Sequence, residues 1–279
     1  MSHVAVNNLV VVSDPHFGCQ LGLCPPDIAW MDEGGMYQPS EEQCKVWGYW
    51  QEFWGDWVPM ACHHEPFAVC VNGDSIDGRH HGSVSQFTHN LAAQGKLAER
   101  VLRPVVDQCE GRFYMTRGTE AHVGPSAEEE EALATSLGAI PDAAGRHARY
   151  ELWVRVGKGL CHIMHHIGTT GSAQYESSGP MSELAAEYAE AGRWNNEAPN
   201  VVVRSHRHRH IEVRVPTALG YGIVFVTAGW QLKTPFVYRT AGGRVQTPQF
   251  GGSLIRQGDE DLYTRHRIWS IGRPQEVRL

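Results

Sequence analysis

Asp14-Pro15-His16 sets a carboxylate and an imidazole two residues apart, directly after Leu9-Val10-Val11-Val12, an apolar run that reads as a buried strand. In an extended chain such a pair points the same way, which suits two ligands on one metal ion. The pattern recurs along the chain. Residues 66–71 read as a second apolar strand and run into Gly73-Asp74-Ser75-Ile76-Asp77. Residues 112–116 read as a third and end in Arg117-Gly118-Thr119-Glu120-Ala121-His122. Leu160 to Met164 ends in His165-His166, and Val201-Val202-Val203 is followed by Ser205-His206-Arg207-His208. Five strand ends therefore offer metal-type ligands, and open α/β sheets place their sites at the carboxyl ends of strands. Carboxylate plus imidazole favours Mn, Fe or Zn over Ca or Mg alone. The donors are too many for one four-coordinate ion. Two ions sharing a carboxylate, ~3.5–4 Å apart, would use them, activating water and clamping the oxygens of a displacement at phosphorus.

The elements that must position these residues fit one large α/β domain over residues 1–279. The chain is 42% hydrophobic, enough for a sizeable core. Strand and helix alternate early: helices are expected over 85–108, bent near Pro104, and from Ser126 onward. Acidic residues at Glu128 to Glu131 suit that helix's N-terminus and receive no catalytic role. A hairpin is expected over 150–156 and 160–164, a helix over 181–191, and strands over 211–215, 223–227, 236–238 and 267–271, which leaves residues 216–279 as a strand-rich C-terminal extension. A helical, aromatic insertion is expected at about 19–60, with Ser40 as N-cap and Gln43 completing a capping box. Within it Val46, Trp50, Phe53, Trp54 and Trp57 recur at helical spacing. The favoured reading is a helix docked by its aromatic face; the alternative is that these rings wall a substrate cleft and stack bases.

Bulk properties narrow the partners. The formal net charge of -7 gives no chain-wide footprint for nucleic acid, though a local basic patch stays open. The 7 cysteines form no Cys-x-x-Cys pair, which argues for reduced thiols and a cytoplasmic setting. No signal peptide is expected at Met1-Ser2-His3-Val4, and no stretch approaches the ~20 apolar residues of a membrane span. The sequence carries no indication of oligomeric state.

The ordered motifs resemble the calcineurin-like metallophosphoesterase family, whose pattern is Asp-x-His, Gly-Asp-x-x-Asp, Gly-Asn-His-Asp/Glu, a lone His after a strand, and Gly-His-x-His. Order and spacing agree over about residues 9–210. Asp14-Pro15-His16 and Gly118-Thr119-Glu120-Ala121-His122 are also similar to phage-type members. The resemblance implies a four-layer αββα sandwich of two mixed sheets flanked by helices. It implies a phosphate-ester hydrolase using two divalent ions (Mn first, with Zn, Fe, Ni or Mg as alternatives) and a hydroxide bridging them. Asp14, His16 and His208 would bind one ion, His165 and His206 the other, and Asp74 would bridge. Thr119 or Glu120 stands where the family has Asn. With Glu120 as ligand, its charge would favour phosphodiesters, in a nucleotide or nucleic acid, over monoesters. His122 is the candidate general acid, two residues later than the family's His. Asp77 is expected to orient a ligand. His165 is favoured over His166, since alternation lets only one point inward. Arg117, Thr119, His166 and His81, with His80 beside it, are candidate supporting or substrate residues. Alternatives are a phosphomonoesterase or protein phosphatase, or a non-catalytic, metal-stabilised interaction module.

Overall fold

The computed structural model describes residues 6–27, 29–31, 34–80, 82–168, 173–218, 220–239, 246–272 and 276–278. Asn8–Val12 (β1), Ala68–Asn72 (β2), Phe113–Thr116 (β3) and Ala148–Arg149 (β4) form the parallel part of one sheet. Leu152–Val156 (β5), Gly159–Ile163 (β6), Val201–Arg204 (β7), Ile211–Thr217 (β8) and Gly220–Val226 (β9) form the second, in the order β5-β6-β7-β9-β8. Gln249–Gln257 (β10) pairs antiparallel with β1, and Leu262–Ser270 (β11) with β10, completing a first sheet ordered β11-β10-β1-β2-β3-β4.

Period-two alternation explains the layers. In β1, Val10 and Val12 join a core shared with the helices, while Leu9 and Val11 join one between the sheets. In β7, Val201 and Val203 face the inter-sheet core, and Val202 packs outward with Leu184. The helical layer over the first sheet comprises Glu41–Glu52 (α1), Val58–Ala61 (α2), Leu91–Gln108 (α3) and Glu128–Leu137 (α5). Glu120–Val123 (α4) is a single turn between β3 and α5, and Ser178–Trp194 (α6) covers the second sheet. The architecture is the four-layer αββα sandwich. Among the described residues no helix is long and apolar enough to cross a membrane.

Ser40 caps α1 through the expected box with Gln43. The aromatic run continues as a π-helical turn, Phe53–Trp57. Its rings do not wall a cleft. Trp50, Phe53 and Trp54 are buried, and Phe53 packs on Trp57 and Trp230. Helix α3 starts at Leu91, capped by Asn90, and carries Pro104 in its interior; residues 85–90 are loop. Residues 236–238 are not a strand, since Pro235–Arg239 (α7) is helical. β10 went unanticipated because Gly251-Gly252 masks its alternation. Gly252 is needed there, since a Cβ would lie 2.5 Å from the Phe53 ring.

Candidate metal centre

Asp14, Asp74, His165, His206 and His208 all follow the carboxyl ends of parallel strands, β1 and β2 in one sheet and β6 and β7 in the other. A buried polar network ties the sheets together beneath them. Asn72 donates to Met164 O and Ser205 Oγ, Thr116 Oγ1 donates to Asn72 Oδ1, and Thr227 Oγ1 donates to Ser205 Oγ.

The ligand side chains do not converge by strand alternation, as Asp14-Pro15-His16 suggested. Asp14 (φ 56), His16 (φ 46), Asp74 (φ 50), His206 (φ 70) and His208 (φ 50) all take the left-handed conformation, half of the ten described non-glycine residues that do. Each such residue costs roughly 1–2 kcal/mol, so the surroundings must hold it. Asp14 N donates to Gly73 O at 3.1 Å, His16 N to Asp74 O at 3.2 Å, and Trp230 N to Asp14 O at 3.0 Å. Strain concentrated at one cluster of buried polar residues points to a functional site.

Two sets of donors result. In the first, His208 Nε2 is 3.0 Å from Asp14 Oδ1 and 3.2 Å from His16 Nε2, and His16 Nε2 is 3.8 Å from Asp14 Oδ1. In the second, His165 Nε2 is 3.0 Å and His206 Nδ1 3.9 Å from Asp74 Oδ2. His165 Nε2 also lies 3.8 Å from Asp14 Oδ1, joining the sets. Donors held at ~2.0–2.2 Å from a tetrahedral cation stand about 3.3–3.6 Å apart, so both sets have the spacing to hold an ion. A further observation supports this fit. His165 Nε2 is buried and aimed at Asp74, yet it makes no hydrogen bond. Its ring is fixed from the far side, where Nδ1 donates to Asn72 O at 2.7 Å, as metal-ligating imidazoles usually are.

Charge follows the same geometry. Burial opposes ionisation of Asp14 and Asp74, but His208 and His165 beside the first and His165 beside the second hold both carboxyls well below the usual range. Burial likewise opposes charge on His16 and His165. Asp14 and Asp77 raise His16 to about 10, and Asp74 and Asp14 raise His165 to about 10. Asp14, His16, Asp74 and His165 are nearly fully buried, whereas the side chains of His206 and His208 are 29% and 23% exposed. The site opens on their side.

The remaining sequence-derived candidates divide. Asp77 Oδ1 lies 3.3 Å from His16 Nδ1, without a hydrogen bond, and Asp77 accepts from Gln86 and Gln231. Thr119 N donates to Asp74 Oδ1 at 2.7 Å and its hydroxyl lies 3.2 Å from the same oxygen, so Thr119 orients Asp74. His122 Nδ1 donates to Asp77 O at 2.7 Å and its ring packs against His16. Burial and His16 push its pKa down to about 4. His122 can reach the shared space, since one of its nitrogens falls within 4.8 Å of donors on His16 and Asp74. Glu120, by contrast, is exposed and belongs to no described ligand cluster. It begins the short helix α4. His166 is exposed and only its ring approaches His206. Arg117 donates to Ala148 O and lies over Tyr150, committed to the β4 side. His81 lies outside the described residues.

Glu130 is the functional residue that the sequence hid. It is fully buried, and accepts from Ser75 N at 2.9 Å and Gly118 N at 2.7 Å, pinning the Asp74 loop to the Thr119 loop. Burial raises its pKa to about 7 against the pull of those two N–H groups. In the acidic run 128–131 nothing distinguishes it from a solvated helix start except its place facing Leu133, Ala134 and Leu137. Gly118 is required at the same junction, where a Cβ would fall 2.1 Å from Asp74 Oδ1.

Fold and site together define a four-layer α/β sandwich with a cluster of His and Asp side chains at its strand ends that could hold metal ions. No protein-family model matches the sequence, and neither does any curated protein. Solved structures do match. Vacuolar protein sorting 29 from Cryptosporidium parvum is 10% identical, with a TM-score of 0.36 over 96% of this chain and 100% of that one. A Thermotoga maritima protein solved by NMR is 11% identical, with a TM-score of 0.34 over 95% and 100%. Thermus thermophilus sulfate thiohydrolase SoxB, in complex with glycerol, is 12% identical, with a TM-score of 0.40 over 97% of this chain and 57% of that one. At these scores the likenesses decide nothing about activity, and the reading of the site rests on its own geometry.

Proposed function

We propose that this protein is a dinuclear metal-dependent phosphoesterase acting on phosphodiesters. The observation that carries the reading is the pair of donor sets, Asp14/His16/His208 and Asp74/His165/His206, joined through His165. Divalent ions bound there, Mn first among the candidates, would lower the pKa of water and neutralise charge on phosphoryl oxygens.

The chain's own residues do the rest. Asp77 and Thr119 hold His16 and Asp74 in place. A carbonyl can only accept, so the proton of neutral His122 sits on Nδ1 and leaves Nε2 as a proton acceptor. As the oxygen of water bonds to phosphorus and the ester P–O bond breaks, His122 Nε2 takes the water's proton and returns it to the departing oxygen. This replaces the simple general acid expected from the sequence. The diester preference no longer rests on Glu120, which is exposed. Its support is that the arginines adjoining the donor motifs are already committed. Arg207 donates to Gly168 O and Glu176 O, Arg209 pairs with Glu176, and Arg117 is held at Ala148. A singly charged diester needs less cationic help than a doubly charged monoester.

The test is metal analysis combined with hydrolysis of bis(p-nitrophenyl) phosphate and p-nitrophenyl phosphate in Mn, Zn, Mg and Fe. Two ions per chain, faster diester turnover, and a loss of about 100-fold or more in Asp74→Asn are expected. Monoester turnover without diester turnover would remove the substrate assignment. Bound metal without turnover of either ester would remove the enzyme and leave the metal-stabilised interaction module, and absence of metal binding would remove both.

A further inference from the structure

A groove away from the donors encloses about 500 Å3 along one face of α3, and Trp30, Phe87, Lys96, Arg100 and Arg103 line it. Trp30 is 58% exposed. Lys96 and Arg100, at i and i+4, project from the same helical face and are exposed. Among the described residues, Glu99 is the only acid lining the groove and is taken by Arg103 at 2.7 Å, and no ion pair involves Lys96 or Arg100. An exposed indole beside two uncompensated cations is the surface chemistry of a stacking platform with phosphate contacts.

A second cavity, of about 250 Å3, is lined by Arg79, His80 and His89. It reaches the catalytic side, because His80 Nε2 lies 3.4 Å from Asp77 Oδ2 and the His80 ring packs on His122. Phe87 lines the first cavity and His89 the second. Only Thr88 lies between them, so their backbones stand at most about 7 Å apart, and the cavities are neighbours.

We infer that these two cavities form the track for a single-stranded nucleic acid, one unpaired base stacking on Trp30 and two phosphates meeting Lys96 and Arg100, with the strand leading past His80 to His122. This rests on the phosphodiesterase reading and names its substrate class. A duplex would keep its bases stacked away from Trp30. With a net charge of -7 on the whole chain, attraction must come from this local patch.

The experiment measures fluorescence anisotropy of a fluorescein-labelled twelve-residue oligothymidylate with the full chain in EDTA, over a salt series, beside bis(p-nitrophenyl) phosphate hydrolysis in Mn. Lys96→Glu/Arg100→Glu is expected to weaken binding at least about tenfold and to flatten the log–log salt slope by about 1.4, from two phosphate contacts at ~0.7 each. Trp30→Ala is expected to weaken binding about fivefold or more. Both variants should hydrolyse the small diester at the wild-type rate. Unaltered oligonucleotide binding in the variants, no binding by the wild type, or equal binding of a twelve-base-pair duplex each overturn the track. Failure of wild-type protein to hydrolyse the small diester strikes the phosphodiesterase reading instead, and is read separately from the anisotropy.

Discussion

At the scale of single residues, the donors were legible because their chemistry is unusual: carboxylates and imidazoles at five strand ends have few other reasons to recur. Their supports were not. Thr119, Asn72 and Glu130 are common polar residues whose roles depend on partners 45 to 133 positions away. Glu120, the residue the motif made conspicuous, faces solvent, while Glu130, ten positions on, is locked inside. Glu130→Gln tests this. The amide keeps the shape but turns one acceptor into a donor facing a backbone N–H, so one loop loses its anchor. Metal affinity by calorimetry should fall about 10- to 100-fold, the usual consequence of losing an outer partner of a ligand, with circular dichroism unchanged. Wild-type affinity in the variant would show that the clamp is only structural.

At the scale of elements, strands that are apolar except at one end were the easiest to place. β1, β2 and β7 are buried along their whole length and read as apolar runs bounded by Asn8, Asn72 and Arg204. β10 carries glycines where the chain passes Phe53, and α7, which begins with Pro235, holds the β-prone Phe236-Val237-Tyr238 in a helical turn. The aromatic run shows the opposite lesson: its spacing gave the helix, and its burial decides against base stacking there. Phe53, fully buried against Trp54, Trp57 and Trp230, holds α1 on the first sheet. Phe53→Ala is expected to cost about 3–5 kcal/mol, seen as a lower urea midpoint. The metal content of the folded protein should stay at the wild-type value, because the rings lie behind the sheet rather than at the donors. Loss of metal with unchanged stability would contradict this placement.

At the scale of the whole molecule, the sandwich must keep its two sheets in register, since the site takes donors from both. The inter-sheet core is apolar in the middle and polar at one edge, an arrangement with no signature in sequence because its members come from three strands. Glu212 on β8 of the second sheet lies 2.8 Å from His266 Nε2 and accepts from Thr264, both on β11 of the first, and pairs with Arg214. His266 Nδ1 in turn lies 2.8 Å from the buried Ser253 Oγ on β10, and the His210 ring packs at a tilt against the His266 ring, with centroids 4.0 Å apart. The Ser253 hydroxyl is sealed from solvent, so the chain of contacts is a tie between sheets and not a nucleophile. Burial alone would raise the Glu212 pKa, but His266, Thr264 and Arg214 outweigh it and lower it to about 2. A depressed carboxylate contributes stability above its unfolded value, near 4.5, and loses it as pH falls toward 2. At about 1.4 kcal/mol per pH unit, the carboxylate supplies up to about 3 kcal/mol at neutral pH that is gone near pH 2. Glu212→Gln should therefore lower the urea midpoint at pH 7 and leave it nearly unaltered at pH 2.5, so that the two acid limbs converge. Parallel limbs, offset equally at both pH values, would mean that the tie acts through shape and hydrogen bonding rather than through the charge of Glu212.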